Sequence, residues 1–190
     1  MSIAEEIQIG LYASWRVALG DKRGLALFNA SLEGFWRSFL AMALVAPIYA
    51  ILLLLRYHAE AGSAPVRFFA VQTIGYIVAW FVFPLIMFYV VQAIERERHF
   101  FAYVVAYNWT SVLQNLIYLP LAIVTELGLL PTELAAFLSF VVLTLVFLYI
   151  WFVTRTALAV TGLMAAGIVA GDFILSIVLN MITGTLLRAG

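Results

Sequence analysis

The sequence contains no cysteine, which excludes disulfides, thiolate metal sites and cysteine nucleophiles together and leaves the redox compartment open. Charge is also scarce: 11% of residues are charged, against ~25% in ordinary soluble domains. Ten basic and ten acidic residues cancel, so the chain has no electrostatic footprint for nucleic acid or for a polyacidic substrate. The only histidines, His58 and His99, fall in different expected loops on opposite sides of a membrane, and no metal site follows from them. No H-E-x-x-H, G-x-S-x-G or G-x-x-x-x-G-K-S/T pattern occurs, which leaves no motif for a zinc protease, a serine hydrolase or a P-loop. No cofactor is implied, since no histidine lies inside an apolar stretch to serve as an axial haem ligand.

What the chain has in excess is apolar surface. Hydrophobic residues make up 66% of it, more than a soluble fold can cover. The expected class is therefore all-α, a polytopic transmembrane helical bundle of about five spans, preceded by an interfacial amphipathic helix. Glu5 and Glu6 precede the first apolar stretch with no basic residue among them, the reverse of a secretory leader, so no cleavage is expected. Ser2 and Glu5 form a capping-box pair that starts a helix over Ile3 to Leu19. In it Ile3, Ile7, Leu11, Trp15 and Ala18 recur at helical spacing, which suits a helix lying in the membrane surface better than a span. Gly20 to Gly24 ends it, and residues 1–31 form the cytoplasmic or interfacial segment.

The apolar runs then place spans at about 32–57, 66–93, 100–127, 132–161 and 171–188. The first covers about 39 Å at ~1.5 Å per residue, enough to cross ~30 Å of hydrocarbon with tilt. Pro84 predicts a kink in the second. The charged cluster Glu95 to His99 suits a tight turn, and Pro131 with Glu133 opens the fourth span. Gly162, Gly167 and Gly171 interrupt the last stretch, which is open between helix, loop and re-entrant turn, with Asp172 expected as the cap of a final helix. Arg16, Lys22, Arg23, Arg37, Arg96, Arg98 and Arg155 fall on one side, against Arg56, Arg67 and Arg188 on the other. The positive-inside rule then puts the N-terminus in the cytoplasm and, with five spans, the C-terminus outside.

Within the spans the polar residues form two stripes. Asn108, Ser111 and Asn115 recur along span three with Thr110 and Gln114 beside them, and Ser176, Asn180 and Thr183 recur along span five. The stripes are expected to face each other, as a closed polar seam of helix packing or as a small polar pathway. No acidic or basic residue is expected at the centre of any span, which argues against ion coupling. Gly167 and Gly171 have the G-x-x-x-G spacing of close helix packing.

With five spans, a cytoplasmic amphipathic lead and very short connections, the chain resembles the bacterial branch of the Yip (Ypt-interacting protein) family. The stretch Phe28 to Trp36 and the span Phe100 to Pro120 carry the resemblance. It implies a membrane-organising or complex-assembly role in the inner (plasma) membrane and brings no enzymatic residue. The leading expectation is thus a non-enzymatic organiser, scaffold or accessory subunit, with the lipid bilayer and a membrane-protein partner or a second copy as its contacts. The alternative is a small oligomeric transporter or channel using the two stripes. An intramembrane enzyme acting on lipid comes third, with only Glu95, His99 and Glu126 at the interfaces to offer as acid or base.

Overall fold

The computed structural model describes residues 2–59 and 64–188, and every regular element among them is helical. Seven α-helices follow in order: α1 (Ile3–Ala18), α2 (Leu32–Ser38), α3 (Leu40–Ala59), α4 (Pro65–Ala93), α5 (Phe100–Glu126), α6 (Thr132–Ala157) and α7 (Gly162–Arg188). Most of the loop expected from His58 to Pro65 lies outside the described residues. Four helices are long and apolar enough to cross a membrane: α2 with α3 over Leu32–His58, α4, α6 and α7. Helix α5 equals them in length, and its many polar residues make it the least apolar of the five.

That composition explains the architecture. Helix α5 packs against α1, α2, α3, α4 and α6, and carries more buried residues than any other helix, Trp109, Tyr103 and Asn108 among them. The more apolar helices stand around it, and α7 closes the bundle by packing on α4 and α6. Neighbouring ends agree with an up-and-down course. Arg56 at the end of α3 pairs with Glu126 at the end of α5 (3.1 Å), and Arg67 at the start of α4 donates to the Leu186 carbonyl near the end of α7 (2.5 Å).

The turns close locally. At the ends of α1, α4, α5 and α6 a residue just beyond the helix donates back five positions, as in Asp21 to Arg16 (3.1 Å), Arg96 to Val91 (2.7 Å), Leu129 to Val124 (3.2 Å) and Val160 to Arg155 (3.2 Å). This closure needs a left-handed residue just before the donor. Gly20 and Gly128 supply two, while Glu95 (φ 58°) and Ala159 (φ 51°) adopt the same conformation with a side chain.

Four expectations are corrected here. Span one is broken at Ser38–Phe39, where the Ser38 hydroxyl donates to the Phe35 carbonyl (2.7 Å) and a separate α3 begins. Span four stops at Ala157, not Thr161, because Ala159 turns the chain. The last helix begins at Gly162, not at Asp172: the Thr161 hydroxyl accepts from Met164 N–H (3.3 Å) and Trp151 Nε1–H donates to the Gly162 carbonyl (2.8 Å). Gly167 and Gly171 face open space within it, where they interrupt nothing.

The fourth concerns α1. Its Ser2–Glu5 capping box is present, but the helix does not lie free on a surface. Glu6, Gly10, Ala13, Ser14 and Val17 are buried, while Ile3, Trp15 and Leu19 of the expected helix stay exposed. Small residues let the helix approach closely: a Cβ on Gly10 would lie 2.6 Å from Cε2 of the Trp109 ring. The Tyr149 hydroxyl adds a hydrogen bond to the Ser14 carbonyl (2.7 Å), and Arg37 lies 3.7 Å from the buried Glu6 carboxylate.

Two outcomes follow. Ala159→Gly removes the Cβ from a left-handed position and should raise the thermal unfolding midpoint in detergent, by a stabilisation of about 0.5–1 kcal/mol. Gly10→Val should lift α1 from Trp109 at a cost of about 1–3 kcal/mol, read as a lower midpoint together with faster proteolysis within α1.

Candidate functional site

The strip of α7 that carries Ser176, Asn180 and Thr183 does not face the α5 stripe. It faces α4, with which α7 runs antiparallel, and the two helices line a cleft of about 260 Å³ that opens to the surface, where Ser176 and Asn180 are exposed. Tyr49 of α3, Gln72 and Tyr76 of α4, Tyr107 of α5 and the whole α7 stripe line it. The cavity extends along α7 from Asp172 to Thr183 and along α4 from Phe83 to Gln72, about 16 Å at ~1.5 Å per residue. Gly75 permits the close approach at the Thr183 end, where a Cβ would stand 2.9 Å from the Thr183 methyl.

Asp172 sets the chemistry. Because α7 starts at Gly162, this carboxylate lies inside a span-length helix, and the expectation that no charged residue sits within a span is overturned. Tyr107 reaches over from α5 and donates its hydroxyl to Asp172 Oδ2 (2.9 Å). Phe83 packs on the Tyr107 ring at 4.7 Å between centroids. Tyr76 donates its hydroxyl to the Met42 carbonyl (2.6 Å), which orients the opposite wall, and its ring stacks on Tyr49 at 4.6 Å. Among the described residues no lysine, arginine or histidine lines the cavity. A carboxylate within hydrocarbon depth costs ~2.5–3.5 kcal/mol even on insertion scales, so such groups face a hydrated or protein-lined interior and mark functional sites.

Along α7 the side chains satisfy part of their hydrogen bonding on their own helix. Asn180 Nδ2 donates to the Ser176 carbonyl (2.8 Å) and the Ser176 hydroxyl to the Phe173 carbonyl (2.7 Å). The donors are thereby held against the backbone, and the Asn180 carbonyl oxygen is left as an acceptor for whatever occupies the cavity.

The α5 stripe is a different structure. Asn108 is fully buried and donates Nδ2 to the Ser38 hydroxyl (2.8 Å), bridging α5 to the break between α2 and α3. Ser111 donates to the Tyr107 carbonyl (2.8 Å), Thr110 to the same carbonyl (3.1 Å), and Asn115 to the Ser111 carbonyl (2.8 Å). Gln114 lines a separate, mainly apolar groove between α1, α5 and α6. The two stripes therefore do not meet: one packs helices, and the other lines a cavity.

Gly167 and Gly171 also turn away from the bundle, with no described atom within 4 Å of where a Cβ would stand. They mark no close approach to another described helix of this chain. Of the interfacial candidates, Glu126 pairs with Arg56 at the far end of α5 from Glu95 and His99. Partial burial and the Arg98 and Arg96 guanidinium groups push His99 below its ordinary value. An acid–base pair cannot form across the length of α5, about 40 Å. Among the described residues no group of three histidine, aspartate or glutamate side chains is placed to hold a metal.

Sequence reasoning missed Asp172, Tyr107, Tyr49, Tyr76 and Gln72 as site residues. The signal for Asp172 was available: one acidic residue in an otherwise uncharged stretch from Gly162 to Leu187, where glycine is compatible with a helix in lipid. The three tyrosines carry no such mark, because their sequence neighbourhoods are those of any interfacial or packing aromatic. No family model matches the sequence, and no curated protein or solved structure shows significant similarity to it.

Replacing Asn108 by leucine should separate packing from cavity. The variant loses the Ser38 bond and about 1 kcal/mol of stability, read as a lower unfolding midpoint, while water access to the α4–α7 cavity stays at the wild-type level.

Proposed function

We propose that this protein is a multi-pass inner-membrane protein that binds a small polar solute in the α4–α7 cleft and passes it through the bilayer, with Asp172 as the charged contact. The observation that carries this reading is a carboxylate inside a membrane-length helix, facing a polar-lined cavity and held by the Tyr107 hydroxyl. Packing alone gives no reason to keep such a group in place of a hydrophobic one, since its desolvation opposes insertion. Helix α5 is taken as the fifth crossing, shielded from lipid by its neighbours. The Lys/Arg bias supports a cytoplasmic N-terminus. The cleft then runs from mid-bilayer at Asp172 toward the outer face at Thr183.

A second reading, an organiser or accessory subunit as the resemblance to the Yip family implies, draws on a separate observation. Gly167 and Gly171, one turn apart on α7, face outward with open space above them. That face fits a helix of a second copy or of a membrane partner packing at close range. The two readings are compatible, since a self-associated carrier would keep its cleft on the α4 side of α7.

The absence of cysteine makes the chain its own background for labelling. Ser176→Cys places a thiol in the cleft, and Ile177→Cys places one at the same depth on the neighbouring exposed apolar face. The thiolate, which exists only where water reaches it, attacks water-soluble thiol reagents. The Ser176→Cys variant should label in intact membranes while the Ile177→Cys variant stays unmodified. Equal protection of both would mean a dry cleft and would end the transport reading.

A further inference from the structure

We infer that the solute taken by this cleft is an organic monocation of the alkylammonium class. The inference rests on the reading of the cleft as a solute site and adds the chemistry of its occupant.

The described lining supplies a single formal charge, the Asp172 carboxylate, and no lysine, arginine or histidine to neutralise it. Its Oδ2 accepts from Tyr107, a neutral donor that orients the carboxylate without cancelling its charge. An occupant of charge +1 would remove the cost of an uncompensated carboxylate at this depth, whereas an anion would add to it. The charge of the site therefore selects the sign of the ligand.

The walls select its character. Phe83 and Tyr107, their ring centroids 4.7 Å apart, line the Asp172 end of the cleft, while Tyr49 and Tyr76, stacked at 4.6 Å, line the end near Thr183. Leu175 and Leu179 complete the apolar part. A small inorganic cation needs several oxygen ligands at close range to replace its hydration shell, and Asp172 is the one carboxylate among the described lining residues. An alkylammonium head needs less: its weakly hydrated methyl or methylene surface sits against aromatic rings, and one carboxylate balances the charge. The volume of about 260 Å³ admits an occupant of the size of a small amine.

The geometry also assigns roles. Asp172 carries the electrostatic attraction, the paired rings carry the contact with the alkyl surface, and Gln72 with the Asn180 carbonyl oxygen faces the polar end of a ligand that has one. Tyr107 is a positioning residue, whose hydroxyl fixes the carboxylate toward the cavity.

The test measures equilibrium binding of radiolabelled choline to the full chain in nanodiscs, against dimethylbutanol, its uncharged isostere, and against sodium at the same concentration. Choline should bind saturably, with at least tenfold loss in Asp172→Asn and about fivefold loss in Phe83→Leu, the latter matching one cation–aromatic contact of about 1 kcal/mol. Dimethylbutanol and sodium should not compete. Competition by dimethylbutanol shows an apolar site without charge selection, competition by sodium an inorganic-cation site, and either overturns the inference. Full choline affinity in Asp172→Asn overturns it as well, and Phe83→Leu keeps the test open should Asp172→Asn not fold. If choline fails to bind while the Ser176→Cys variant labels, the ligand class is wrong and the cleft stands; if the Ser176→Cys variant is protected too, the cleft reading itself has failed.

Discussion

Hydrocarbon offers no hydrogen-bond partner, so every amide, hydroxyl or carboxyl carried into it must meet one supplied by the protein or by enclosed water. The bundle is arranged around that constraint. Helix α5 holds the largest share of buried polar groups, and it is the helix the others surround. Asn108 donates Nδ2 to Ser38 while its Oδ1 has no partner among the described residues, and the same serine hydroxyl bonds the Phe35 carbonyl at the point where the chain breaks between α2 and α3. A polar contact in the interior thus sets the course of the first crossing.

Close packing serves the same end. Lipid tails are as apolar as leucine, so helices gain little by hiding apolar side chains from lipid and associate through contact area and polar bonds. Small residues mark the tightest approaches: Gly10 under Trp109, and Gly75 against Thr183. Helix α1 shows the effect most clearly, since it turns Gly10, Ala13 and Ser14 inward and leaves Trp15 and Leu19 outside. In water the arrangement would be inverted. Beside a membrane it leaves the large apolar groups where lipid can take them.

The cleft between α4 and α7 differs from the polar row of α5. Asp172 has a partner in Tyr107, yet it also faces a cavity with aromatic and polar walls and no positive charge among the described residues. The α5 stripe shows what a polar row looks like when it serves packing: donors on neighbouring backbone and a buried amide bridging two helices. Two rows that read alike as sequence therefore differ in whether the opposing helix fills the space before them. That difference is the physical basis for proposing a solute site at one and a packing role for the other.

The helices, their turns and most of their ends were legible in the sequence because they depend on interactions within a few residues: the Ser2–Glu5 cap, the glycines at 20 and 128, the charged turn before Phe100. The last helix was misjudged because Gly162, Gly167 and Gly171 carry the weight of breakers in water that they lack in lipid. With α7 begun ten residues late, Asp172 became a cap in place of an interior carboxylate. Rotation of each helix was not legible at all. A span that is apolar on every side has no amphipathic contrast to say which face turns inward, and only long-range pairings such as Tyr107 with Asp172 and Gly75 with Thr183 decide it. The sequence by itself determined that this chain is an α-helical protein with membrane-length apolar helices. The tertiary structure alone decided which polar row is filled and which one lines a cavity, because that depends on the shape of the opposing helix.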